Sequence, residues 1–251
     1  MAREPGSFNG RVRLSSDSRR TVTTSANYSW TSYDVGAWNR QISFNVNARV
    51  RERWTFSVGP SYSRSHSVSQ YLSRINDPLA TSTFGSRYVF SDLDRTTFSM
   101  NGRLNVTFTP TISLQLYLEP FISVGSYGAP KEFATPGTFD FIKYGTDAGT
   151  IEETVSGSYE IDPDGVGPAP VFEIRNRDFS YRSLLGNAVF RWDWRPGSTF
   201  FFVWQQRRIN RLASGDHPGV GEFDLWRDAD AMFDFKPDNI FMVKMNYWLN
   251  P

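Results

Sequence analysis

Gln41-Ile42-Ser43-Phe44-Asn45-Val46-Asn47-Ala48-Arg49-Val50 is the stretch that sets the fold. Ile42, Phe44, Val46, Ala48 and Val50 share one parity; Gln41, Ser43, Asn45, Asn47 and Arg49 share the other. A 180° repeat of this kind describes a β-strand with one apolar and one polar face. Its length exceeds the usual ~5–6 residues of a strand in a water-soluble domain.

The same period recurs on both sides. Phe8, Gly10, Val12 and Leu14 alternate with Asn9, Arg11 and Arg13, and Val22 to Trp30 alternates in the same way. Trp54, Phe56, Val58, Pro60 and Tyr62 form another apolar row, as do Phe98 to Phe108, Ile112 to Leu118, Leu184 to Trp194 and Phe241 to Leu249. Thr199 to Arg207 is apolar on both parities at first, so its facing stays open. The pattern predicts about nine strands of roughly 9–14 residues. Short turns fall at Asp17–Arg20, Arg51–Arg53, Thr109–Thr111 and Arg195–Ser198, where Pro and Gly supply the turn chemistry. The alternate connections are Tyr33 to Ala37, Ser67 to about Ser86, Gly128 to about Asp178, and Leu212 to about Asn239, three of them long. Within the last, Leu225 to Phe235 has a helical period: Leu225, Ala229, Met232 and Phe233 follow a cap at Asp224.

Composition narrows the classes. The chain has 251 residues, 16% of them aromatic, no cysteine, two histidines and a net charge of +1. Near-neutral charge argues against a nucleic-acid binder. The lack of cysteine excludes a disulfide scaffold and a Cys nucleophile. No run approaches the ~18 apolar residues of a membrane-crossing helix. Aromatics interleaved with Ser, Thr, Asn and Arg, short turns at one end and long loops at the other instead suit an all-β, antiparallel transmembrane (outer-membrane) β-barrel. A soluble β-sandwich or lipocalin-like barrel shares the period and stays open as an alternative. Met1 to Gly6 has no apolar segment of a secretory signal. With an odd strand count, this leads to the expectation of one barrel domain over 1–251, the C-terminal portion of a larger barrel, with strands and an export signal upstream. The stretch 128–178 is expected to be a long acidic extracellular loop.

Two groups of residues are candidates for function. Arg49, Arg103, Glu119, Arg191, Asp193 and Lys244 lie on the polar parity and would line the interior. Rings of charged side chains there would tune a conduit, or they would close a small barrel by pairing with one another. Trp30, Trp38 and Tyr62 at one end of the strands, with Trp54, Phe108, Trp194 and Tyr247 at the other, would form two aromatic girdles where lipid meets water.

Arg191-Trp192-Asp193-Trp194-Arg195-Pro196-Gly197-Ser198, followed by Phe202-Val203-Trp204, is similar to a known family. So are Pro237 to Leu249, Tyr88-Val89-Phe90 and Arg103 to Pro110. The chain resembles the C-terminal barrel region of a bacterial family, domain-of-unknown-function family 5916, over about residues 50–251. Longer members carry an N-terminal module like the family 9 carbohydrate-binding domains, absent from this sequence. The resemblance implies an outer-membrane location in a Gram-negative cell, contact with outer-membrane lipid and with the barrel-assembly machinery, and no transferable catalytic residue.

The expected function is a porin-like channel or uptake component for small polar or carbohydrate-like solutes. The alternatives are a membrane anchor displaying a carbohydrate-binding module, a soluble binding protein, and an enzyme with a loop-borne hydrolase site. No nucleotide loop, nucleophile elbow or zinc motif is present, so no cofactor, metal or enzymatic activity is expected. Asp162-Pro163-Asp164-Gly165 with Glu173 resembles a calcium loop, but the glycine is misplaced and Val166 occupies a ligand position. His66 and His217 read as solvated loop residues.

Overall fold

The protein is described by a computed structural model over residues 4–50, 53–155 and 157–249. Of the short turn expected at Arg51–Arg53, Arg51 and Glu52 lie outside the described residues, as do Met1–Arg3. The chain begins as a meander: β1 (Ser7–Ser15), β2 (Val22–Tyr33), β3 (Trp38–Val50), β4 (Trp54–Asn76), β5 (Ser86–Thr109) and β6 (Ile112–Tyr127). A connection follows with five short strands: β7 (Lys131–Phe133), β8 (Phe141–Lys143), β9 (Thr150–Glu153), β10 (Tyr159–Asp162) and β11 (Phe172–Ile174). The meander resumes with β12 (Phe179–Arg195) and β13 (Ser198–Ala213), crosses a short helix α1 (Leu225–Asp230) and ends in β14 (Asp238–Asn246).

The strand order is β1-β2-β3-β4-β5-β6-β12-β13-β14, antiparallel at every step. The nine strands read from the period are the nine of this path. Because β1 and β14 do not pair with each other among the described residues, the sheet is open rather than closed into a barrel. A nine-strand meander reverses eight times, so its two edges run in the same direction.

Three expectations are corrected. The connection expected from Ser67 to Ser86 is mostly strand: β4 and β5 have 23 and 24 residues and form one long hairpin closed by a turn over 77–85. This extension breaks period two because its register shifts between Ser67 and Gln70, and again between Tyr71 and Ser73. His66 is therefore a strand residue, opposite Trp38 and Asp94, with Nδ1 3.0 Å from the Asp94 carboxylate. Third, 128–178 is a folded cap rather than a bare loop. β9–β11 form a small sheet, and β7 and β8 extend the main one from β5. Tyr144, Ile161 and Ile174 from the cap pack on Leu72 and Val89 of the long hairpin. Arg87 joins the two parts, reaching Asp77 and Glu132 at 2.6 Å each.

The segment between β13 and β14 folds back onto one face of the sheet. Asp224 caps α1 by accepting the Arg227 N–H at 2.8 Å. The helix ends at Asp230, sooner than its sequence period suggests. Met232, Leu225 and Ala229 pack on Ile122, Val124, Leu184 and Phe98, whereas Phe233 stays exposed under the Arg208 guanidinium. Arg182, on the same face, meets Asp228 at 2.6 Å, and both side chains are buried.

Candidate functional site

The candidate site is the pair of faces presented by the main sheet. Residues opposite each other across an antiparallel ladder share a face, so the register sorts every strand. Val12, Tyr28, Ile42, Tyr62, Phe98 and Ile122 form one continuous row across six strands. Rows below it are equally apolar: Val50, Trp54, Val106, Leu114, Phe190, Phe202 and Val243 are likewise consecutive partners. Tight turns close the lower end of the sheet, among them Pro196-Gly197, where Gly197 takes a φ of 77° that favours glycine.

The apolar stripe slopes. Its upper ends are Phe8, Trp30, Ile42, Tyr62, Phe98, Ile122, Leu184, Trp204 and Phe241. On most strands the next residue up the same face is polar: Ser32, Arg40, Arg64, Thr96, Arg182, Gln206 and Asn239. Val124 extends the run on β6, and together with Ile122 and Leu184 it is buried in the cluster that α1 covers, so on β6 and β12 the upper end of the stripe lies under the folded-back segment. Phe8 is level with Trp38, through Ser32. Phe241 is level with Ala48, through Trp204, Ala188, Leu116, Leu104 and Phe56. The margin thus falls by the ten residues from Trp38 to Ala48 in eight strand-to-strand steps. With ~3.4 Å per residue and ~4.8 Å between strands, it crosses the strands at roughly 40° from the perpendicular.

The aromatic candidates lie at the two ends of this stripe. Trp30 stands opposite Arg40, and Trp38 stacks on His66 with centroids 6.3 Å apart. Tyr62 is covered edge-on by Phe223 of the folded-back segment at 5.7 Å. At the lower end, Trp54 and Phe108 are exposed. Trp194 sits between Trp192 and Tyr247, and Arg195 donates to the Tyr247 hydroxyl at 3.3 Å.

The opposite face carries all six charged candidates, but it does not gather them into one cluster. Arg103 lies opposite Tyr117 with its guanidinium 5.6 Å from the ring, and the Tyr117 hydroxyl donates to Glu119 at 2.6 Å. Arg191 and Asp193 form an ion pair at 2.9 Å, with the Thr199 hydroxyl donating to Asp193 at 2.7 Å. Phe201 lies opposite both Arg191 and Lys244, so Lys244 belongs to this second group. Arg49, opposite Thr55, lines a separate cleft of about 740 Å³ at the lower end with Arg13, Arg19 and Arg20.

Between these charges the face carries neutral amides and hydroxyls over β2–β6, with apolar side chains, Val189, Val203 and Met242, among them on β12–β14. Thr23, Asn47, Ser57, Arg103, Tyr117, Asn187 and Gln205 are successive partners across seven strands. Gly59 makes room for two of the amides, since a Cβ there would meet Asn101 at 3.0 Å and Asn45 at 3.1 Å. Tyr117, Thr199 and the amide rows were not singled out from sequence. Tyr117 was visible on the polar parity, but its place between Arg103 and Glu119 depends on register.

The acidic turn in the cap is occupied by its own backbone. Asp162 accepts the N–H groups of Asp164 and Gly165 at 3.2 and 2.9 Å, and these bonds, Gly165 first, hold its carboxyl below the usual range. Asp164 accepts from Ala169 at 2.9 Å. Among the described residues no three His, Asp or Glu side chains gather as a metal centre would need. His217 is exposed on the connection before α1.

In comparison with known proteins, the family model described as Domain of unknown function (DUF5916) matches residues 1–250, a wider span than the sequence motifs alone suggest. No curated protein and no solved structure matches the chain.

Proposed function

The chain belongs to this family, and we propose that its sheet forms part of the wall of an outer-membrane β-barrel in a Gram-negative cell, a conduit for small polar solutes, carbohydrate-like ones among them. The slope of the apolar stripe carries this reading. A bilayer imposes a level apolar band, and strands of a membrane barrel cross it tilted by ~35–45°; the slope of roughly 40° follows from the same geometry. The stripe spans Ile42–Val50, Trp54–Tyr62 and Phe98–Phe108 on successive strands, close to the ~9–11 residues that cross a bilayer. Aromatics at both margins suit the two interfaces.

The opposite face would then be the lumen. Its charges are partly satisfied in the Arg103–Tyr117–Glu119 and Arg191–Asp193–Thr199 groups, and neutral amides and hydroxyls line most of the remaining face over β2–β6. Such a lining favours uncharged hydroxylated solutes over ions. The cap and the folded-back segment belong to the extracellular end and the short turns to the periplasmic one. In lipid, the free edges of β1 and β14 require partner strands.

The test is fractionation followed by conductance. The full chain is expected in the carbonate-resistant membrane fraction. Protease added to intact cells should cut first within the cap; cutting only after the outer membrane is opened would reverse the orientation. Protein extracted from that membrane fraction with whatever pairs its edges, and reconstituted in planar bilayers, should give discrete conductance steps, and Arg103→Glu should shift their cation preference. Recovery as a detergent-free monodisperse soluble protein would overturn the reading.

A further inference from the structure

Just above the apolar stripe, one ladder row places two arginines side by side. Arg40 on β3 and Arg64 on β4 are direct cross-strand partners, flanked in the same row by Trp30 on β2 and Thr96 on β5. Both arginines are exposed. Like charges directly opposite each other on a ladder repel, and neither guanidinium has an ion-pair partner among the described residues. Asp94, one row above on the neighbouring strand, is engaged by His66. Arg40 is also fixed in direction, since its guanidinium lies 5.2 Å from the Trp38 ring centroid.

We propose that Arg40 and Arg64 together bind the phosphate of an anionic membrane lipid at the upper margin of the apolar stripe. This rests on the membrane reading above. Two planar guanidinium forks at ladder spacing match the several oxygens of one phosphate, and an anion between them removes their repulsion. The position selects a lipid over a soluble phosphate. The next residues down the same face are Ile42 and Tyr62, with Tyr28 and Phe98 beside them. Tyr62 and Phe98 are partly covered by the folded-back segment, whereas Ile42 and Tyr28 are exposed, so a phosphate seated on the arginines has its acyl chains directed along Ile42 and Tyr28. Trp30 and Trp38 on either side of Arg40 mark the headgroup level, where aromatic rings concentrate.

The test is flotation of the full chain with vesicles of phosphatidylcholine alone, vesicles doped with phosphatidylglycerol, and vesicles carrying the same charge as oleate. Wild type should bind the phosphatidylglycerol vesicles on the order of tenfold better than phosphatidylcholine ones, and better than the oleate ones. The double variant Arg40→Gln, Arg64→Gln should lose that preference while keeping its binding to phosphatidylcholine. Arg175→Gln, Arg177→Gln, an equal loss of charge on the exposed approach to β12, should keep the preference. A preference retained by the first variant, an equal response to oleate, or loss of the preference in millimolar inorganic phosphate would each overturn the lipid-phosphate site. Binding to phosphatidylcholine with no preference overturns this site and leaves the membrane reading standing; no binding to any vesicle overturns both.

Discussion

Val46 and Asn47 are neighbours in sequence and look in opposite directions from β3. Val46 lies in the apolar stripe opposite Val58 and Thr24, and Asn47 lies among the amides opposite Ser57 and Thr23. If the stripe meets lipid, Val46→Arg should lower folding stability in vesicles by about 2–4 kcal/mol, and Asn47→Arg by well under about 1. Equal losses, read from urea titrations of the protein extracted from its membrane with its edges paired and returned to vesicles, would contradict the facing. The Arg182–Asp228 pair makes a second case. Asp228 also accepts from Arg227 at 3.2 Å and from the Asp224 N–H at 3.1 Å. Asp228→Asn leaves a buried guanidinium without its charge partner and should cost about 3–5 kcal/mol, whereas Arg182→Met with Asp228→Asn, which keeps an acceptor for the Asp224 N–H, should cost less. Thermal unfolding of the two variants compares them directly. The alternation in Gln41–Val50 made the facing of Val46 legible from sequence. The Arg182–Asp228 contact was not, because it joins residues 46 positions apart through a fold-back that no period describes.

The strands differ in how clearly they announced themselves, and the reason is local. β3 keeps strict alternation along its ladder, so its bounds could be read closely. The upper half of β4 carries polar residues on both parities and two register shifts, so it resembled a loop. The strands of the cap are three or four residues long, too short for a period to appear. The cap nevertheless shares a buried core with the long hairpin, and that gives it a distinct pH response. Burial, and then the charge of Glu132, push the Tyr144 phenol well above its ordinary value. For a group raised in the folded state, the stabilisation is complete below the unfolded pKa of about 10 and is lost as pH rises beyond it. Hydrogen exchange in residues 131–174 should therefore quicken above about pH 10, and Tyr144→Phe should blunt the change. Leu72→Ala, which opens a cavity under the same core, should cost about 2–5 kcal/mol and raise proteolysis in the cap while leaving the apolar stripe intact.

The whole sheet has two exposed edges. Along β14 every residue from Asp238 to Asn246 is exposed, and Phe8, Val12 and Leu14 are exposed along β1. Unpaired backbone in hydrocarbon costs several kcal/mol per group, so an isolated copy of the 251-residue sheet should not persist in a bilayer as a monomer. Refolded in detergent it should run as mixed oligomers without a heat-modifiable monomer band; a protease-resistant monomer would contradict this. Direct closure of β14 on β1 would also set two strands side by side in the same direction, unlike every other neighbour in the sheet. The slope of the stripe constrains what replaces that seam. It behaves as a segment of an uneven screw thread that drops on average a little more than one residue per strand. A strand that joins β14 can carry the thread onward only if its own apolar residues start about one position lower than Phe241, and one that joins β1 only if they start about one position higher than Phe8. If the sheet stands in a barrel wall, the register of any strand that joins it is therefore written into the pitch of the strands described, and a candidate strand can be accepted or rejected by where its alternation begins.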